Sequence, residues 1–384
     1  MKHTRVAIVG GGLAGLYAAR QLARLGVDHL ILEARETVGG RILSRPVSAS
    51  PSRPPQGPVL GPQARDRFDL GATWYWPSLQ PQLHRLIEAS GLGTFVQPDH
   101  GDWLLERSHT SPPARVGGYP SSPPSMRLVG GVAALTDALA AGLDPNRLRL
   151  DHAVSRLQAV DDGVRLRIAV RDGTVDLLAD RVILAVPPRI AAFAIDFSPA
   201  LPPRLARDWS STPTWMAPHA KYLAVYDVPF WREEGLAGAA QSTVGPMGEI
   251  HDASTPGGRG ALFGFIGWPA RIRDEIGQAA LMQACRDQLV RLFGARAAEP
   301  RAEWLQDWAQ ERHTATPEDA TAQAHASPPA AVPETGEWRD RIVGGASEWS
   351  PTFPGYLAGA VDAAERAVQW ASTAADRSTT GAST

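Results

Sequence analysis

The sequence predicts an α/β protein of two interleaved domains, and three observations carry that prediction. Residues 6–33 run strand, glycine turn, helix, strand in quick succession. Residues 181–188, RVILAVPP, read as a buried parallel strand far along the chain, and residues 341–367 add another strand, a turn and a helix. The 384 residues are enough for two domains with cores of their own.

The first unit carries the most information. Residues 6–9 are a short apolar run with strand character. Gly10, Gly12 and Gly15 follow in G-x-G-x-x-G spacing, and Leu16, Ala19, Leu22, Ala23 and Leu25 recur at helical intervals up to Gly26. Residues 27–32 form a second strand closing on Glu33. Gly10 allows the tight turn, Gly12 lets a pyrophosphate approach the backbone, and Gly15 lets the helix pack close to the strand. The helix N-terminus offers free N–H groups to phosphates. Glu33 can accept hydrogen bonds from ribose hydroxyls, and Arg35 lies just beyond it. The unit is therefore Rossmann-like and predicts a bound dinucleotide.

Gly39, Gly40 and Arg41 narrow the choice. A second glycine pair with an arginine, soon after the acidic residue, resembles the extended FAD motif of the flavin-containing amine oxidase superfamily, which includes monoamine, polyamine and L-amino acid oxidases. In that resemblance Arg41 neutralises pyrophosphate charge. It implies a monoamine oxidase-like two-domain architecture of bacterial type. The FAD-binding domain would take residues 1–76, 127–190 and 334–372, and a discontinuous α+β substrate domain residues 77–126 and 191–333.

Composition sets bounds. The net charge is −2 and basic residues form no block, so no nucleic acid or anionic membrane partner is expected. Cys285 is the only cysteine, which excludes an internal disulfide and a cysteine metal cluster. The ten histidines show no paired ligand spacing, and no metal is expected. No leader pattern precedes the first strand, and no uncharged apolar run approaches the ~20 residues of a membrane span. A cytoplasmic location is the expectation.

Taken in order, residues 46–66 are rich in Pro, Ser, Gly and Gln and read as a mobile surface loop. Residues 68–77, FDLGATWYWP, resemble the superfamily's Asp-Leu-Gly segment along the flavin ring, which implies that Gly71, Ala72, Thr73 and Trp74 line it. Leu79, Leu83, Leu86 and Ile87 lie at helical spacing. Residues 95–125 are Pro-rich and read as irregular. Residues 126–143 resemble the superfamily segment that returns to the FAD domain, with a helix carrying Leu135 and Leu139. Residues 148–157, 164–170 and 174–178 read as strands separated by Asp-Gly turn signals. Val154 matches a position whose backbone meets the adenine.

The second half supplies the reacting end. Residues 221–238 look like the segment of monoamine oxidases whose lysine is water-bridged to flavin N5, and Lys221 matches it. Residues 248–268 read as further strand, and residues 279–294 as a helix with Cys285 on its apolar face. By the same resemblance Trp308 lies beside the flavin. Pro317 and Glu318 stand where the mitochondrial enzymes carry their flavin-bonding cysteine and one cage tyrosine, so FAD is expected to be held non-covalently. Residues 341–367 resemble the C-terminal FAD motif. Glu348, Gly355, Tyr356, Gly359 and Ala360 match, while Ala346 and Ser347 replace the usual Gly-Thr and Gly344 and Gly345 replace the usual aromatic-Ala. Tyr356 matches one wall of the two-tyrosine cage around the substrate amine. Residues 373–384 read as a flexible tail.

The resemblance implies an FAD-dependent oxidoreductase that oxidises an amine to an imine by hydride transfer to flavin N5, with oxygen as acceptor and hydrogen peroxide as product. Lys221, Trp308 and Tyr356 are the catalytic candidates. Two alternatives stand beside it. One is an L-amino acid oxidase or biosynthetic dehydrogenase on the same fold, for which Arg271, Arg273 or Arg312 would clamp a carboxylate. The other is a non-catalytic FAD-binding protein. The oligomeric state is open.

Overall fold

The computed structural model describes residues 2–47, 66–321 and 326–373. Most of the loop expected over 46–66, and all but the first residue of the tail expected over 373–384, lie outside the described residues.

The chain opens with β1 (Lys2–Val9), α1 (Leu13–Arg24) and β2 (His29–Leu32). A short antiparallel pair follows, β3 (Ser44–Pro46) with β4 (Arg67–Asp69). Then come α2 (Pro81–Ala89), β5 (Thr94–Val96), β6 (Asp102–Glu106), β7 (Ala114–Gly117), β8 (Met126–Leu128), α3 (Ala133–Ala141) and β9 (Leu148–Arg149). Three long strands come next: β10 (Ala153–Val160), β11 (Gly163–Val170) and β12 (Gly173–Leu184). After α4 (Pro188–Ala194), β13 (Asp196–Ser198) and α5 (Pro203–Ser211), the chain enters β14 (Ala220–Tyr226), β15 (Leu236–Ser242), β16 (Met247–Asp252) and β17 (Gly260–Ile266). It closes with α6 (Ala270–Ile276), α7 (Gln278–Phe293), β18 (Ala302–Asp307), β19 (Ile342–Gly344) and α8 (Leu357–Thr373).

The first sheet runs β13-β10-β11-β12-β1-β2-β9, with β19 also on β12. β1 lies parallel between β12 and β2, and its residues Val6, Ala7 and Ile8 are fully buried. Helices α1 and α8 pack on one face through Leu16, Leu22, Val361 and Val368. Residues 174–178 and 181–188 were expected as two strands. They are one, β12, whose first half pairs antiparallel with β11 and whose second half pairs parallel with β1 and β19. The exposed start and buried end hide its continuity from the hydropathy pattern.

The second sheet runs β18-β14-β17-β16-β15-β6-β7. Here residues 95–125, expected as irregular, supply β6 and β7: Leu236–Ser242 offers β6 a parallel partner from far along the chain. Strand alternation splits β14 between two cores. Tyr222, Ala224 and Tyr226 pack with Leu281, Cys285 and Leu289 of α7, while Leu223 and Val225 pack with Phe68 and Leu70 beside β4. Lys221 shares the second set's parity, which turns its side chain toward β4 and the segment after it. Cys285 is fully buried, and burial pushes its thiol well above the usual range. Among the described residues no helix is long and apolar enough to cross a membrane.

Candidate active site

Between the two sheets lies a cavity of about 690 Å³, within the ~300–1,000 Å³ usual for small-molecule sites. One end is the glycine turn. Gly10 has φ +107°, and a Cβ on Gly15 would stand 1.9 Å from the Gly10 carbonyl oxygen, so only glycine lets α1 approach β1 this closely. Gly12, Leu13 and Ala14 at the N-terminus of α1 line the cavity, and the first N–H groups of a helix have no partner within it. The Glu33 carboxylate accepts from the backbone N–H of Gly11 at 2.6 Å and of Arg35 at 2.9 Å. Both bonds lock it beside the turn, with lone pairs to spare for hydroxyl donors. Val154 lies at a register shift of β10 against β11, where ladder pairing is interrupted. These features fit an adenine dinucleotide: free N–H groups for phosphates, a fixed carboxylate for ribose, and an interrupted ladder just after Val154.

Arg41, which lines the cavity, also has partners within the chain. Its guanidinium forms a fork on Glu348, Nη1 to Oε1 at 2.5 Å and Nη2 to Oε2 at 2.9 Å, and adds Ser347 Oγ at 3.0 Å. Its charge is thus matched within the chain, and Glu348 is buried behind it, outside the cavity lining. Gly15 also stays outside the lining. Gly10, Gly12, Glu33, Arg35, Gly40, Arg41, Gly71, Ala72, Thr73, Trp74, Val154, Lys221, Trp308, Gly355 and Tyr356 all reach it.

At the other end, Lys221 is 2% exposed. Its Nζ donates to Thr73 Oγ1 at 2.6 Å and to the Gly71 carbonyl at 3.2 Å, and stands 3.9 Å from the centre of the Phe263 ring. Burial lowers the pKa of this lysine from 10.5 to about 7, with Asp69 opposing the shift and Arg127 adding to it. Trp308 is buried, its indole N–H donating to the Leu70 carbonyl at 3.1 Å. Trp74 donates to Gln97 Oε1 at 2.7 Å and meets His251 and Phe263 edge-on or tilted. Gly355, at φ +83°, packs on Trp215 and leads through Tyr356 into α8.

Several lining residues carried no signal in the sequence. Trp215, His219, Glu249, Phe265, His313 and Thr314 come from separate loops and strands that only the fold brings together. Glu318, expected at the missing tyrosine's place, is exposed and outside the lining, and His313 and Thr314 reach the cavity instead. Phe265, Glu249 and His219 also line a second cavity of about 630 Å³ next to the first. The Glu249 carboxylate accepts from His251 Nε2 at 2.6 Å, and that bond holds it below the usual range. Burial and the nearby Arg273 hold His219 below the ordinary imidazole value.

None of the three arginines expected as a carboxylate clamp reaches the first cavity. Arg271 is exposed and pairs with Glu275. Arg273 is buried on Asp307, with bonds of 2.7 and 2.6 Å, and donates to the Trp268 and Pro218 carbonyls. Arg312 is exposed, 3.1 Å from His313.

Comparison with known proteins agrees with this geometry. The profile of the family described as flavin containing amine oxidoreductase matches residues 116–370, and that of an NAD(P)-binding Rossmann-like domain matches residues 8–89. A Mycobacterium tuberculosis protein provisionally named flavin-containing monoamine oxidase AofH is 28% identical over 94% of this chain and 95% of its own. An L-amino acid dehydrogenase of Synechocystis is 25% identical over 94% of this chain and 93% of its own. A structure of putrescine oxidase bound to putrescine shares the fold, with a TM-score of 0.74 at 20% identity over 96% of this chain and 98% of that one. The chain belongs to the flavin containing amine oxidoreductase family and is a flavin-dependent oxidoreductase with the two-domain fold of that family.

Proposed function

We propose that this family member binds FAD non-covalently and oxidises a primary amine lacking a carboxylate, a short diamine above all. One observation carries the reading: the charge of the cavity wall. Among the described residues the arginines that line it are Arg35 and Arg41, close in sequence to Glu33 and the second glycine pair, and the acidic side chain where the two cavities meet is Glu249. An amino acid needs a cation for its carboxylate, whereas a diamine needs an anion for its second ammonium. The putrescine oxidase named above shares this fold, which is consistent with a diamine.

FAD supplies, when bound, a hydride acceptor at N5 that oxygen can reoxidise with release of hydrogen peroxide. The chain's residues bind and orient. Gly10, Gly12 and the α1 N-terminus meet the pyrophosphate, Glu33 the ribose, and Val154 the adenine; Arg41 and Glu348 brace the turn between them. Gly71, Ala72, Thr73 and Trp74 form the wall along the ring. Tyr356 and the Trp308 indole flank the amine and orient its lone pair, and Glu249 holds the far ammonium. Lys221 fixes charge next to Thr73. No side-chain base is required, because the amine reacts through its own lone pair and the imine hydrolyses in water. The sole cysteine is buried among α7 and β14 and does not line the cavity, in keeping with non-covalent FAD.

The test is peroxide release by purified holoenzyme in air with matched substrates: 1,4-diaminobutane, butylamine and ornithine. The reading expects turnover in that order, with ornithine slowest. Ornithine faster than both amines would overturn the substrate class, and oxidation without peroxide would overturn oxygen as acceptor.

A further inference from the structure

Three ionisable groups lie buried together next to the flavin cavity: Asp69, Arg127 and Lys221, each 2% exposed. Two are basic and one is acidic. A buried ammonium is costly to keep charged without an opposite charge. Among the described residues Lys221 makes no ion pair within contact distance; it has a hydroxyl, a carbonyl and the rings of Phe263 and Phe265. Asp69 is two residues before Gly71 and four before Thr73, the two groups that receive the lysine. Its Oδ1 accepts from Ser44 Oγ at 2.5 Å and from the Val132 N–H at 2.9 Å, and among the described residues Oδ2 has no hydrogen-bond partner. Arg127 donates to the Ala253 and Ser254 carbonyls and lies over Phe95. Beyond it stand Asp252 and Arg232, which pair with each other, and on the Phe263 side Glu249 pairs with His251.

We propose that Asp69 is a positioning residue for the reaction: its buried carboxylate, at the end of β4, keeps the Lys221 ammonium charged and seated on Thr73 in the wall of the flavin cavity. The sense of the coupling follows from the signs of the charges, and burial also pushes the Asp69 carboxyl above the usual carboxylate range. The anion favours the charged lysine, Arg127 disfavours it, and burial works against it. The chain itself marks the position: with 38 lysines and arginines in all, it carries lysine only at Lys2 and Lys221. An arginine's fork would not fit the compact seat between Thr73, Gly71 and Phe263 that a single ammonium fills. The inference rests on the proposed place of Lys221 beside the flavin, but its test does not depend on amine turnover.

That pair of lysines makes the test direct. Holoenzyme grown with lysine carrying carbon-13 at Cε gives two titrating signals. The Lys221 signal is the one absent from Lys221→Met, and it is expected to titrate at about 7. In Asp69→Asn its midpoint falls by about one unit or more, while Asp69→Glu, which keeps the charge, stays near the wild type. In Arg127→Met the midpoint rises. If Asp69→Asn does not fold, the rise in Arg127→Met together with retention in Asp69→Glu decides the matter. An unmoved midpoint in Asp69→Asn, or no rise in Arg127→Met, overturns the proposal. A holoenzyme that titrates as expected yet oxidises no amine would leave this inference standing and remove the substrate reading alone.

Discussion

The nucleotide end of the cavity and its substrate end are built in opposite ways. The nucleotide end is comparatively local: Gly10, Gly12 and Gly15 shape one turn, and Glu33 locks onto Arg35 two residues on and Gly11 22 residues back. The substrate end is assembled from a distance. Lys221 reaches Thr73 across 148 residues, Trp308 reaches Leu70 across 238, and Glu249 enters from the middle of the second sheet. In the proposed reading, phosphates are recognised through backbone geometry and ribose by a carboxylate at a strand end, both of which a short motif encodes. In the same reading, an amine is recognised by side chains that separate strands bring together. Damage at the first end should therefore remove the cofactor, and damage at the second should leave it bound and change only the chemistry.

The largest effect expected is at the turn. Gly15→Ala places a carbon 1.9 Å from the Gly10 carbonyl oxygen, so α1 must shift. The variant should lose at least about 3 kcal/mol of stability and purify with little flavin, measured as flavin per chain. A Gly15→Ala protein with a full flavin complement would break the comparison.

Lys221→Met comes next. It should keep its flavin and lose about 100-fold in the rate of flavin reduction by amine, the scale of one oriented charge at a reacting centre. It also isolates a stability term. Lys221 is charged in the unfolded chain up to about 10.5 and in the fold only up to about 7. Between those values the unfolded state holds the extra proton, so stability rises with pH. Relative to Lys221→Met, the wild type should gain about 1.4 kcal/mol per pH unit across that window and nothing below it. Chemical denaturation at several pH values measures the slope; equal slopes in both proteins would contradict the burial of this charge.

Glu249→Gln sharpens the comparison inside the substrate end. Loss of a charge-assisted bond to the second ammonium should raise KM for diamines about 10- to 100-fold, with a much smaller change for monoamines. Equal losses for both would remove Glu249 from recognition. The smallest effect expected is that of Arg271→Ala, whose partner Glu275 is on the same exposed helix surface. Stability should change by no more than ~0.5 kcal/mol and the preference for amines over amino acids not at all; a changed preference would return this arginine to the site.

Legibility in the sequence follows the same division. The glycine turn, Glu33, the wall at residues 71–74 and the entry to α8 could be read because each is a contiguous string with one backbone task. Lys221, Trp308 and Tyr356 were reached through resemblance, and all three line the cavity. Arg41 was legible as a residue and not as a contact, because its partner Glu348 lies 307 positions away. Trp215, His219 and Glu249 were invisible, since nothing local distinguishes them from other loop and strand residues. β6, β7 and β15 were missed for a related reason: strands such as DWLLE and LAGAAQS have weak strand preference of their own and exist through their partners. The scarcity of lysine could have flagged Lys221 from composition alone.

The central claim is that both ends serve one reaction. The most direct measurement is the visible spectrum of the holoenzyme during anaerobic titration with 1,4-diaminobutane. Stoichiometric bleaching of the oxidised flavin band, slowed in Lys221→Met at unchanged flavin content, is the predicted result. A flavin band that neither diamines nor monoamines bleach would contradict the account.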